Sequence, residues 1–141
     1  MTGSGARGHR TAAHTADLRV EAWGPTREDC IAQAVAGMVE SFAGAGLPAP
    51  EATAECEVTG EEDTDLLAAA LDEVIYRLET TGEIPAATEV SPRPGGLRLR
   101  FRTVDAGALP AVGAIPKAVS LHELRCERGP DRWWCSATID V

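Results

Sequence analysis

The sequence predicts an α+β fold: a single domain with two amphipathic helices packed on a largely antiparallel sheet, in the order β-α-β-α-β-β-β-β. Three observations lead there. Two segments carry apolar residues at helical spacing, several others alternate apolar and polar residues with period two, and 141 residues make one domain that buries about two-thirds of its unfolded surface. Laying both helices over one face of a sheet is the simplest way to bury both apolar stripes.

The opening stretch, residues 1–9, has no apolar core and reads as a disordered leader rather than a signal peptide, with the domain spanning 10–141. That points to the cytoplasm. Leu18, Val20 and Ala22 alternate as a first strand. The first helix follows Gly24-Pro25-Thr26 and puts Ile31, Ala34, Val35, Met38, Val39 and Phe42 on one stripe. Thr26 is its expected N-cap, Asp29 the acidic member of a capping box, and Gly44 or Gly46 its stop. Ala54, Cys56 and Val58 form the next strand.

The second helix repeats the template with Leu67, Ala70, Leu71, Val74, Ile75 and Leu78, opened by Asp63 or Thr64 and closed by Gly82. A weaker strand covers residues 86–91, where Pro85 suggests a sheet edge. It turns through Pro92-Arg-Pro-Gly-Gly96 into the clearest strand, Leu97, Leu99 and Phe101 between Arg98, Arg100 and Arg102. Residues 104–116, rich in Ala, Gly and Pro, read as a surface loop. The last third forms a hairpin, 118–127 returning as 133–141 around Arg128-Gly-Pro-Asp131, with Trp133, Cys135, Ala137, Ile139 and Val141 on its apolar face.

Composition excludes several roles. The formal charge of −9 opposes the attraction that supplies non-specific nucleic-acid affinity, so strong direct binding to RNA or DNA is not expected. No apolar run approaches the roughly 20 residues that span a bilayer. The cysteines at 30, 56, 126 and 135 show no C-x-x-C pair and no zinc spacing, so they read as small core residues, with Cys126 and Cys135 able to face each other across the hairpin. No G-x-S-x-G, P-loop or cysteine–histidine arrangement supports nucleophilic catalysis or phosphate cradling. The arginine stripe at 98, 100 and 102 suits an exposed strand face, or else RNA or an acidic partner. Trp23, Trp133 and Trp134 lack an interleaved basic groove and read as packing residues.

Two aspartates remain. Asp17 stands at the entrance of the first strand, as a capped turn, a solvated strand end or a metal ligand. Asp140 interrupts the apolar ending Ala137-Thr-Ile-Asp-Val141 and needs a partner or water. The terminal carboxylate and carbonyl of Val141 add oxygen donors beside it. Such a set suits a hard divalent cation, calcium first, then magnesium or manganese. A turn near residue 130 pairs the end of the last strand with residues near 119–121. Unbroken alternation then puts Lys117, Val119 and Leu121 on the face of Asp140, with Lys117 close to it and His122 on the other face.

His14-Thr-Ala-Asp17, leading into a strand that ends Ala22-Trp23-Gly24, resembles the opening signature of the archease family. Pro116-Lys-Ala-Val-Ser-Leu-His-Glu-Leu124 resembles its K-A-[VI]-T-Y-H segment, and Trp133-Trp134 with Thr138-Ile-Asp-Val141 resembles its W…L-D-[IV] ending. Glu57-Val-Thr-Gly60 and the acidic helix from Leu66 to Leu78 match the intervening elements, so the resemblance covers about residues 10–141. It implies a non-catalytic protein that activates an RtcB-type RNA ligase in tRNA splicing or RNA repair, promoting guanylylation by GTP and multiple turnover. It also implies a divalent-metal site at Asp17, Asp140 and the main chain of Val141, with Lys117 beside it and His14 and Lys117 as partner or nucleotide contacts. Arg10-Thr-Ala-Ala13 replaces the family's aromatic and acidic residues, and Ser120-Leu121 its threonine and tyrosine. Two other readings stay open: a metal-dependent hydrolase built on His14, Asp17, His122 and Asp140, and a metal-independent, chaperone-like module.

Overall fold

The computed structural model describes residues 6–13, 17–110 and 113–141. Its elements are β1 (Gly8–Ala13), β2 (Asp17–Gly24), α1 (Arg27–Ala43), β3 (Ala52–Thr59), α2 (Asp63–Thr81), β4 (Glu83–Arg93), β5 (Gly96–Asp105), β6 (Ala118–Val119), β7 (Arg125–Arg128) and β8 (Trp133–Asp140). From β2 onward this is the expected order, with its seventh element divided into β6 and β7. Every strand pairing among the described residues is antiparallel.

The strands form two sheets. One runs β1-β2-β8-β6, with β7 also paired to β8, and the other runs β3-β5-β4. Both helices turn their apolar stripes into one continuous core shared by the sheets, where Ile31, Met38, Leu67, Leu71, Leu97, Leu99, Phe101 and Ile139 are fully buried. Burying each of these larger side chains contributes about 1.5–3 kcal/mol. No described helix is long and apolar enough to cross a membrane.

Local chemistry sets the helix ends. The Asp29 N–H donates to Thr26 Oγ1 at 3.0 Å and Gly44 closes α1. The start of α2 lies one residue earlier than Asp63 or Thr64 would place it, because Glu62 is the N-cap and its N–H donates to Asp65 Oδ2 at 3.0 Å. Gly82, at φ 73°, stops α2 in the left-handed conformation that glycine accepts without a Cβ clash. β4 lies at a sheet edge, as Pro85 suggested, and its register slips between Pro85 and Ala87.

β1 is an addition. Its first residues, Gly8 and His9, belong to the stretch read as a leader, and its pairing with β2 runs from Gly8↔Trp23 to Ala13↔Leu18. His9 ties it to α1, bonding Gln33 Oε1 through Nδ1 at 2.9 Å and lying 2.6 Å from Glu40 through Nε2. Gly37 makes room for this: a Cβ there would lie 3.1 Å from the His9 ring.

The remaining expectations resolve locally. Arg98 and Arg100 face Glu57 and Glu55 across β3, at 3.5 and 3.6 Å, so the arginine stripe is a charge ladder on an exposed sheet face. Cys126 and Cys135 face each other in register, with sulfurs 3.6 Å apart, and Cys30 of α1 approaches Cys135 at 2.6 Å.

Candidate functional site

β2 and β8 pair so that Asp17 sits directly opposite Asp140, Arg19 opposite Thr138 and Glu21 opposite Ser136. Period-two alternation makes this the outward face, because Leu18, Val20, Cys135, Ala137 and Ile139 between them are buried in the core. Two carboxylates from strands far apart in sequence therefore share one face as immediate neighbours. Like charges so placed repel.

They open onto a cleft of about 360 Å3 lined by Asp17, Arg19, Ser120, His122, Glu123, Thr138 and Asp140. Its far wall is the turn between β6 and β7. The Ser120 N–H donates to the Thr138 carbonyl at 2.8 Å, and the His122 N–H donates to Ser120 Oγ at 3.2 Å. Glu123 then adopts φ 60°, an uncommon backbone conformation for a non-glycine residue. Its carboxylate meets Arg19 Nη1 at 3.0 Å, closing the turn over β2.

This turn corrects the assignment of faces. The register of β7 on β8, carried on unbroken, would bring Leu121 opposite Asp140. Ala118 is there instead, with Val119 opposite Ile139. Three residues are taken up by the turn, and an odd slip moves side chains to the other face. Lys117 therefore approaches Asp140 through the main chain, its N–H donating to the Asp140 carbonyl at 2.7 Å, while its side chain is absent from the cleft lining. His122, expected on the other face, lines the cleft with both aspartates.

Val141 packs its side chain against the core, which anchors the end of β8 behind Asp140. His14 lies outside the described residues. Desolvation pushes the carboxyl of Asp72, on α2, above the usual range, and the backbone N–H of Val119 opposes the shift.

As a cation site, the cleft offers hard oxygen donors from Asp17 and Asp140, with the hydroxyl-bearing Ser120 and Thr138 beside them. No group of three His, Cys, Asp or Glu side chains gathers for a metal among the described residues. The donor set thus fits a hard cation that draws its other ligands from hydroxyls, main chain, water or a partner.

At the opposite end of the same face, Trp23 and Trp134 meet with ring centroids 5.4 Å apart. Arg132 lies over both, at 5.6 and 4.7 Å, and Arg10 lies 6.0 Å from Trp23. These arginines come from β1 and the β7–β8 turn, so basic residues cover the tryptophan pair, which the sequence reading took as lacking a basic surround.

The sequence profile of the Archease protein family (MTH1598/TM1083) matches residues 9–141. A probable protein archease of Mycobacterium tuberculosis is 50% identical over 134 residues, covering 95% of this chain and 75% of its own length. A protein archease of Methanopyrus kandleri is 27% identical over 133 residues, covering 91% and 95%. Among solved structures, protein 1598 of Methanobacterium thermoautotrophicum superposes with a TM-score of 0.76 at 20% identity, covering 95% of this chain and 99% of its own. An archease of Thermotoga maritima, described as a possible chaperone, superposes with a TM-score of 0.68 at 22% identity, covering 92% and 94%.

Proposed function

The chain belongs to the archease family, and we propose that it is a non-catalytic accessory protein that holds a divalent cation, calcium first, between Asp17 and Asp140. With that cation it activates an RtcB-type RNA ligase, promoting guanylylation by GTP in tRNA splicing or RNA repair. One observation carries this reading: Asp17 and Asp140 face each other across β2 and β8 on the exposed side of the sheet.

The protein's own residues have distinct tasks. Asp17 and Asp140 supply two anionic oxygen donors on a stiff two-strand support, and the core anchorage of Val141 keeps the second from swinging away. The Arg19–Glu123 pair holds the turn that walls the cleft. Lys117, whose backbone is tied to Asp140, presents its ammonium outside the cleft, where it suits a contact with the ligase. The cation, once bound, supplies charge neutralisation and a Lewis-acid position that a partner's active site can use.

The test is guanylylation of the cognate ligase with GTP. Asp17→Ala and Asp140→Ala should each abolish stimulation while circular dichroism shows an intact fold, and full stimulation by both folded variants would sink the proposal. A hydrolase is the second reading, favoured by His122 in the same cleft. It requires turnover of a phosphoester substrate by the isolated protein and its loss in His122→Ala. A chaperone-like role instead requires suppression of protein aggregation that survives Asp17→Ala.

A further inference from the structure

Ser136 is out of keeping with the rest of its sheet face. It lies on the outward side of β8 yet is only 7% exposed, and its Oγ has no hydrogen-bond partner among the described residues. Leaving a buried hydroxyl unsatisfied costs about 1–3 kcal/mol, and alanine would fill the position without that cost. Ser136 lines a hollow of about 250 Å3 together with Arg19, Glu21, Arg125, Glu127, Arg128 and Trp134. Four residues along β8 separate it from Asp140, about 13 Å in an extended strand, so it is a second site on the same face.

The charges around the hollow are not equally engaged. Arg19 is held by Glu123 and Glu21 by Arg10. Arg125 and Arg128 have no carboxylate within ion-pair distance among the described residues. That is notable in a chain with 22 acidic residues against 13 basic ones. Two unengaged guanidiniums and an orphan hydroxyl are donors that lack an acceptor. Guanidinium forks match the oxygens of a phosphate, and hydrogen bonds to such a charged group are among the stronger ones. Glu127 adds an acceptor at the rim, suited to a hydroxyl near that phosphate.

We infer that this hollow is a binding site for a phosphorylated ribose, with the phosphate on Arg125, Arg128 and the Ser136 hydroxyl and a sugar hydroxyl on Glu127. A free nucleotide and the phosphorylated end of an RNA strand both present this chemistry.

The test is a titration of 15N-labelled protein, followed by NMR, with ribose 5-phosphate, ribose, inorganic phosphate, citrate and a short 5′-phosphorylated RNA. Saturable shifts at the Ser136 and Arg125 amides and the Trp134 indole are expected with ribose 5-phosphate and absent with ribose. Arg125→Gln should weaken binding about tenfold or more, while Asp17→Ala leaves it unchanged. Ser136→Ala should weaken binding and leave the unliganded protein equally or more stable. Tighter binding of the RNA than of ribose 5-phosphate marks the strand end as the source, and equal binding marks the free small molecule. No saturable shift with ribose 5-phosphate at tens of millimolar, citrate binding more tightly than phosphate, or a lower Tm for unliganded Ser136→Ala would each overturn the inference.

Discussion

Replacing Asp17 with asparagine turns the facing carboxylates into a measurement. Cross-strand partners hold their Cβ atoms about 5 Å apart, and Asp17 and Asp140 are such partners. Two negative charges at that distance repel by about 0.8 kcal/mol at the dielectric constant of water, less at physiological salt. Asp17→Asn removes the repulsion and keeps the shape of the side chain. Without a cation the variant should therefore be more stable by about 0.5–0.8 kcal/mol, about 2–3 °C in Tm for a domain of this length. With calcium at about ten times its Kd, the native protein should gain about 1.4 kcal/mol by mass action, while the variant, short of one anionic ligand, gains little. The order of stability then reverses. Differential scanning calorimetry in chelator and across a calcium titration reads both quantities. A variant no more stable than the native protein in chelator, or one with an undiminished calcium response, refutes the reasoning.

Other perturbations probe the frame around the site. Phe101 is fully buried, so Phe101→Ala should cost about 3–5 kcal/mol, seen as a lower urea midpoint. The contact with Cys126, then that with Cys30, and burial push the Cys135 thiol far up. A thiol reagent followed by mass spectrometry should therefore label half-buried Cys56 first and spare Cys30, Cys126 and Cys135 until the protein unfolds. The Asp72 carboxyl is raised in the folded state, so its stabilising balance is present below the unfolded value and is lost as pH rises through the folded one. Asp72→Asn should match the native protein under acid and equal or exceed it at neutral pH. Urea unfolding at the two pH values checks this outcome.

The helices were legible because their apolar stripes repeat over several turns and their caps, Thr26 and Gly82, act within a few residues. The Asp17–Asp140 site was legible in part, because strand alternation put Asp140 on the polar side of β8. β1 was not, since Gly8-His-Arg-Thr-Ala-Ala13 carries no alternating apolar face and is held by main-chain pairing and the contacts of His9 with α1. Lys117 and His122 exchanged faces because the turn from Ser120 to Leu124 takes up three residues, and one odd slip reverses every side chain beyond it. Cys30 beside Cys135, and Arg10 over Trp23, depend on tertiary placement with no local periodic trace, whereas Arg132 shares the face of Trp134 through its i,i+2 spacing.

The pairing of β2 with β8 also orders events in time. The sheet β3-β5-β4 joins segments close along the chain, whereas bringing Asp17 to Asp140 closes a loop spanning nearly the whole sequence. A chain still being synthesised, or one folded only through β5, carries the first carboxylate with nothing across from it and lacks the strand that bears Ser136. On the proposed reading, a partner docking on this face meets both carboxylates only in molecules whose β8 has joined β2.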